Sequence, residues 1–97
     1  MSRRYPIVLG LTWKLFRRAA LIDSGFGRTV NLSTQGILFD AMGPFPTGMK
    51  IALSIFWPMG PANLTPACLD IEGRIVRSNG CNVAITIDRH NFCTASR

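Results

Sequence analysis

The segment RTVNLSTQGILF, residues 28–39, predicts a strand, a tight turn and a second strand. Its centre, Asn31-Leu32-Ser33-Thr34-Gln35-Gly36, has the composition of such a turn. Asn and Ser side chains bond backbone groups two or three residues away, and glycine supplies the positive φ that such a bend often needs. The apolar run Ile37–Phe39 that follows is typical of a short buried strand. A plain structural β-turn would account for this pattern as well.

Further segments alternate apolar and other residues with period two, which indicates strands with one buried face. They are residues 7–15, 49–57, 67–75 and 81–87. The turn signals between strands are Asp23-Ser24-Gly25, Gly43-Pro44 with Pro46, the proline-rich loop 58–66, and Ser78-Asn79-Gly80. An open sheet this apolar would leave unpaired, aggregation-prone edges. We therefore predict an all-β fold, a small six-stranded antiparallel β-barrel. The single domain would comprise a basic segment 1–6, the barrel 7–88 and a fraying tail 89–97.

A helical alternative exists for residues 11–22. Leu11, Leu15, Ala19 and Ile22 also fall at helical spacing, with Lys14, Arg17 and Arg18 between them. A basic amphipathic helix of this kind would suit a membrane surface. The alternating first half and the turn signal at residues 23–25 favour a hairpin instead.

One glycine within a predicted strand is unusual. Gly73 falls on the apolar face of the strand 67–75, where it contributes no side chain to the core. Such a glycine predicts a sharp bend or a close approach of another backbone.

The charge of the chain is unevenly distributed. The net charge is +6 over 97 residues, of which residues 1–28 carry +5 and the remainder +1. This asymmetry indicates an anionic partner for the N-terminal part, or a solvated basic face. No signal peptide is evident, and the odd count of three cysteines (Cys68, Cys81 and Cys93) indicates free thiols in a reducing cytoplasm.

The residues favour binding over catalysis. His90 is the only histidine, the carboxylates are scattered, and Ser33 has no evident base to activate it, so we expect neither an enzyme nor a metal site. Arginines before the first strand, together with the Asn/Ser/Gly turn, could hold a guanine nucleotide. A guanidinium forks onto guanine O6 and N7 or onto phosphate oxygens.

Three segments together resemble the PilZ domain family. They are Arg4-Tyr5-Pro6-Ile7, the stretch from Gly27 to Phe39, and Glu72-Gly73-Arg74-Ile75-Val76-Arg77. The most specific part is the signature [DN]-x-S-x-x-G, matched by Asn31, Ser33 and Gly36. The resemblance implies a six-stranded barrel that binds the bacterial second messenger cyclic di-GMP. It also implies a protein partner in the control of motility, biofilm formation or exopolysaccharide synthesis.

The second signature of the family, R-x-x-x-R before the first strand, is incomplete. Arg4 matches its second arginine, while the first would fall before Met1; Arg3 is adjacent but out of register. The resemblance thus implies a nucleotide site of Arg3, Arg4, Asn31, Ser33 and Gly36 with weak binding, or an adaptor that binds partner proteins without nucleotide.

A third possibility is a small basic barrel that binds single-stranded nucleic acid. Such a barrel needs aromatic side chains on an exposed basic face. Trp13 and Trp57 fall on the apolar faces of their strands, where we expect core residues. The sequence therefore does not favour nucleic acid as a partner. Because residues 11–22 favour a hairpin over an amphipathic helix, it does not favour a membrane either.

Overall fold

The computed structural model describes residues 8–57 and 67–94, which form antiparallel strands. The strands in these ranges are β1 (Gly10–Arg17), β2 (Ala20–Leu32), β3 (Gly36–Ala41), β4 (Lys50–Trp57), β5 (Ala67–Asn79), β6 (Asn82–Thr86) and β7 (Arg89–Thr94). Six of them pair in the order β4–β1–β2–β3–β6–β5, and β5 pairs back onto β4 to close a barrel. The predicted all-β fold, a small six-stranded antiparallel barrel, is confirmed.

The extra strand β7 lies against β5. One edge of β5 pairs with β4 over residues 67–74, while the other edge pairs first with β7 and then, from Ile75, with β6. The prediction of a fraying tail from Arg89 was therefore wrong for residues 89–94. Their sequence is polar and carries little strand signal, but the first half of β5 offers them an edge of backbone donors and acceptors.

Gly73 lies where the partner of β5 changes from β7 to β6. A Cβ at this position would overlap the carbonyl oxygen of Thr86. The Asp88 amide donates to the Glu72 carbonyl at 2.8 Å beside this point. The close backbone approach predicted from Gly73 is confirmed.

The β1–β2 hairpin turns at a different place from the one predicted. Its two-residue loop is Arg18-Ala19, with φ of 51° and 66°, and Arg17 is paired with Ala20. Residues 23–25 lie within β2, where Gly25 pairs with Trp13. A Cβ on Gly25 would come within 2.7 Å of the Trp13 ring, so this glycine makes room for an indole.

The helical alternative for residues 11–22 is wrong, because they form β1, the hairpin loop and the start of β2. The described residues contain no helix that could span a membrane.

The core fills the inside of the barrel with one face of each of its six strands. Phe39, Ile51, Ile55 and Val83 are fully buried at its centre. Trp13 is 4% exposed, as expected for a core residue, and its ring meets Phe45 edge to face at 4.8 Å. Trp57 is only half-buried, at the margin of the core, so its predicted core position holds in part.

Gly73→Ala tests the close approach of β5 to the end of β6. The added methyl group overlaps a carbonyl oxygen that is held by the barrel, so we expect a loss of roughly 1–3 kcal/mol or more in the free energy of unfolding. Gly10→Ala is the matched control, since a Cβ there meets only the Phe56 ring at an ordinary 3.5 Å. Urea denaturation measures both variants; equal stability of the two would contradict the account of Gly73.

Leu53→Ala and Ile71→Ala test the inward faces of β4 and β5. The two side chains are each 2% exposed and are paired in register. Each truncation should lower the free energy of unfolding by roughly 2–5 kcal/mol, the usual range for buried aliphatic residues. Val76→Ala, at a half-exposed position, should change it by less than about 1 kcal/mol. Small losses for both core variants would mean that these faces point outward.

Candidate functional site

The turn between β2 and β3 is held together by the side chain of Ser33. Its Oγ accepts hydrogen bonds from the amides of Gly36 at 3.1 Å and Gln35 at 3.3 Å. The same hydroxyl donates to the Gly36 carbonyl at 3.0 Å, and the Ser33 amide donates to that carbonyl as well. The predicted strand–turn–strand arrangement is confirmed, with Ser33 at its centre.

Gly36 serves a different purpose from the one predicted. Its φ is not positive: the described glycines with positive φ are Gly48 and Gly80. A Cβ on Gly36 would instead lie 2.7 Å from the carbonyl oxygen of Ile85 in β6. Gly36 is therefore needed for the close approach of β3 to β6 immediately after the turn.

A row of four side-chain positions crosses the outer face of the barrel next to this turn. Asn31 pairs with Leu38, Leu38 with Ala84, and Ala84 with Arg77, one residue each from β2, β3, β6 and β5. Adjacent strands lie about 4.8 Å apart, so the Asn31 and Arg77 backbones are separated by about 14 Å. An amide and a guanidinium thus bracket two apolar positions.

Two β-bulges bring the ends of this row onto the same face. The register shifts between Thr29 and Asn31 in β2, and between Ile75 and Arg77 in β5. In each case one extra valine, Val30 or Val76, is accommodated without a partner residue. Bulges of this kind re-aim the side chains that follow them. Without these shifts, Asn31 and Arg77 would not share a row with Leu38 and Ala84.

The row and the turn line an open groove of about 470 Å³. Asn31, Ser33, Gly36 and Arg77 all contribute to its wall. Asn31 is half-buried at the wall of the groove. Three of the five predicted site residues are thereby brought together; the other two, Arg3 and Arg4, lie outside the described residues.

Arg77 is the groove residue that the sequence analysis missed as a site residue. The sequence contains one signal for it: Val76 follows the inward Ile75 directly, which breaks the alternation of β5 and marks the bulge. That break does not reveal which strand lies opposite. Only the pairing of Arg77 with Ala84 places the guanidinium at this groove.

The histidine lies at a neighbouring depression and not in the groove. His90 is exposed on β7 and lines a second depression that shares Leu32 and Ser33 with the groove. In the described ranges, no three His, Cys, Asp or Glu side chains are grouped so that they could hold a metal ion.

Comparison with protein-family models found no match, and comparison with curated proteins found none either. The resemblance to the PilZ family therefore rests on the three sequence segments given above.

Ser33→Ala tests the role of the hydroxyl in the turn. Since the variant leaves the Gln35 and Gly36 amides without this acceptor, we expect a loss of about 1 kcal/mol in the free energy of unfolding. Hydrogen exchange of the Gly36 amide should become faster, whereas Thr34→Ala, at the neighbouring exposed position, should leave it unchanged. An unaltered exchange rate in Ser33→Ala would show that the hydroxyl does not hold the turn.

Proposed function

We propose that this chain is a PilZ-type receptor domain for cyclic di-GMP, acting in bacterial second-messenger signalling in the cytoplasm. The observation that carries the proposal is the groove on the outer face of the barrel. The signature residues Asn31, Ser33 and Gly36 line this groove together with Arg77. The guanidinium of Arg77 is a cation suited to guanine or phosphate.

The groove offers the contacts that a guanine base needs. A guanidinium at Arg77 can pair with guanine O6 and N7, and the Asn31 amide supplies both a donor and an acceptor. Leu38 and Ala84, between them in register, provide a small apolar floor for the face of the base. The Ser33–Gly36 turn closes one side of the groove with backbone groups at its surface.

The position of Leu9 bears on how Arg4 would contribute to this groove. The Leu9 amide donates to Thr29 Oγ1 at 2.8 Å, and the Thr29 amide donates to the Leu9 carbonyl at 2.9 Å. Leu9 is thus held beside Thr29, two residues before Asn31 in β2. Arg4 precedes Leu9 by five residues, which can span at most about 18 Å, and the proposal assigns Arg4 and Arg3 to this site.

The number of arginine contacts sets the affinity that we expect. A good bidentate arginine contact contributes ~1–3 kcal/mol of discrimination. A site that lacks one such contact should therefore bind roughly 5- to 150-fold more weakly than a complete one, since ~1.4 kcal/mol is a factor of ten. The bound state would then signal to a protein partner in motility, biofilm or exopolysaccharide control.

A second candidate is an adaptor that binds partner proteins without nucleotide. The observation that favours it is the Ser33 hydroxyl, which is already fully engaged within its own turn. The signature would then be retained for the shape of the turn alone. Single-stranded nucleic acid has less support, because Trp13 is buried and the Trp57 ring packs edge to face on Phe92 at 5.4 Å.

Titration calorimetry with cyclic di-GMP tests the receptor proposal. We expect weak binding that is abolished by Arg4→Ala or Ser33→Ala and is weakened roughly 5- to 150-fold by Arg77→Ala. An arginine added directly before Met1, four positions ahead of Arg4, should strengthen it by a similar factor. Arg89→Ala is the matched control, because it removes the same charge from β7 and should leave the affinity nearly unchanged.

Two results would count against the receptor proposal. Binding that survives both Arg4→Ala and Ser33→Ala would place the site elsewhere on the barrel. No binding even with the added arginine would favour the adaptor, whose partner could then be sought with the unliganded domain.

A further inference from the structure

A second surface of the barrel combines cationic and apolar side chains. It surrounds a depression of about 400 Å³ where the tip of the β1–β2 hairpin meets the loop before β4 and the middle of β5. Among residues 8–57 and 67–94, its cations are Arg17, Arg18, Lys50 and Arg74, and no carboxylate of these ranges lines it. The described residues that line it are all different from those that line the groove, so the two surfaces are separate.

The strand register arranges this surface in two halves. Leu21 pairs with Phe16, Phe16 with Lys50, and Lys50 with Arg74, across β2, β1, β4 and β5. Leu21 is 54% exposed and the adjacent Ile22 47% exposed, so the hairpin half presents aliphatic side chains to solvent. The other half carries the lysine and an arginine. We call Arg17, Arg18, Leu21, Ile22, Lys50 and Arg74 the basic end.

Among the described residues, carboxylates offset only part of the positive charge of the basic end. Lys50 Nζ lies 3.8 Å from Glu72 Oε1, but both side chains are about half exposed, and such a pair contributes little. Asp23 is exposed on β2 but does not line the depression. Arg74 Nη1 donates to the Gly48 carbonyl at 3.1 Å, which fixes its guanidinium without an anion.

The hairpin loop keeps an arginine where other residues would suit the backbone better. Both loop residues, Arg18 and Ala19, have positive φ. Loops of this type favour Asn-Gly, because glycine has no Cβ and asparagine tolerates this left-handed region better than arginine or alanine. The loop thus holds a cation at its apex in spite of that preference.

We propose that the basic end docks on the surface of an anionic phospholipid bilayer. Leu21 and Ile22 enter the boundary between headgroups and acyl chains, while the four cations meet lipid phosphates and the negative surface potential. Nucleic acid fits this surface less well, since its exposed apolar side chains are aliphatic and its one ring, Phe16, is half-buried. In this proposal, residues 11–22 contribute to a membrane-binding surface as a hairpin and not as an amphipathic helix.

Co-sedimentation of the full chain with vesicles tests this proposal. We expect binding to mixed phosphatidylglycerol–phosphatidylcholine vesicles, decreasing with salt, and none to phosphatidylcholine alone. Each cation at the surface should contribute about a fivefold change in affinity. The double variant Arg18→Asn/Ala19→Gly should therefore bind about fivefold more weakly, and adding Arg17→Gln should extend the loss to about 25-fold.

The loop itself supplies the matched control. Ala19→Gly alone retains Arg18 and should bind like the parent chain, and neither loop variant should be less stable to heat, because both relieve strain. Leu21→Ser/Ile22→Ser should weaken binding several-fold at unchanged salt dependence. Arg89→Gln on β7 should have little effect.

The proposal would be overturned if the chain did not bind anionic vesicles, or if it bound phosphatidylcholine vesicles equally well. Binding that is unchanged in the Arg17 and Arg18 variants would also overturn it. Tighter binding to a single-stranded oligonucleotide, with the same dependence on Arg17 and Arg18, would also reject the lipid surface in favour of nucleic acid. The calorimetric test of the groove is independent of all these results.

Discussion

The structure depends on the double pairing of β5. This strand offers one edge to β4 and divides its other edge between β7 and β6, so its pairings both close the barrel and add the extra strand. The division is possible because Gly73 has no side chain where the carbonyl of Thr86 approaches. Closure satisfies the backbone donors and acceptors that an open sheet would expose, and it encloses the apolar faces as one core.

The candidate site is a consequence of this closure. The outer row from Asn31 to Arg77 runs through β6, which connects β3 to β5 in the barrel. The bulges at Val30 and Val76 set the register on either side. Gly36 then permits β3 to come close to β6 at the end of the turn. The groove, and with it the proposed nucleotide contacts, exists because four strands meet in one register.

The two proposals concern different parts of the barrel and rest on different observations. The groove combines a recognisable turn with a guanidinium supplied by a distant strand. The basic end has no motif, and its argument comes from charge, exposure and register. The groove on β2, β3, β6 and β5 and the basic end use separate residues, so each proposed surface can be altered without the other.

Local patterns in the sequence determined the strands, the turn at Ser33 and the close approach at Gly73, because period two and turn chemistry depend only on near neighbours. The same patterns misplaced the β1–β2 turn, since Arg18-Ala19 has no turn signal and Gly25 serves the Trp13 ring. They also missed β7 and the position of Arg77. The period-two alternation of apolar residues shows which residues of a strand share a face, but it does not show which strand lies beside it. Only tertiary pairing, with its bulges and shared edges, decided which faces and side chains meet.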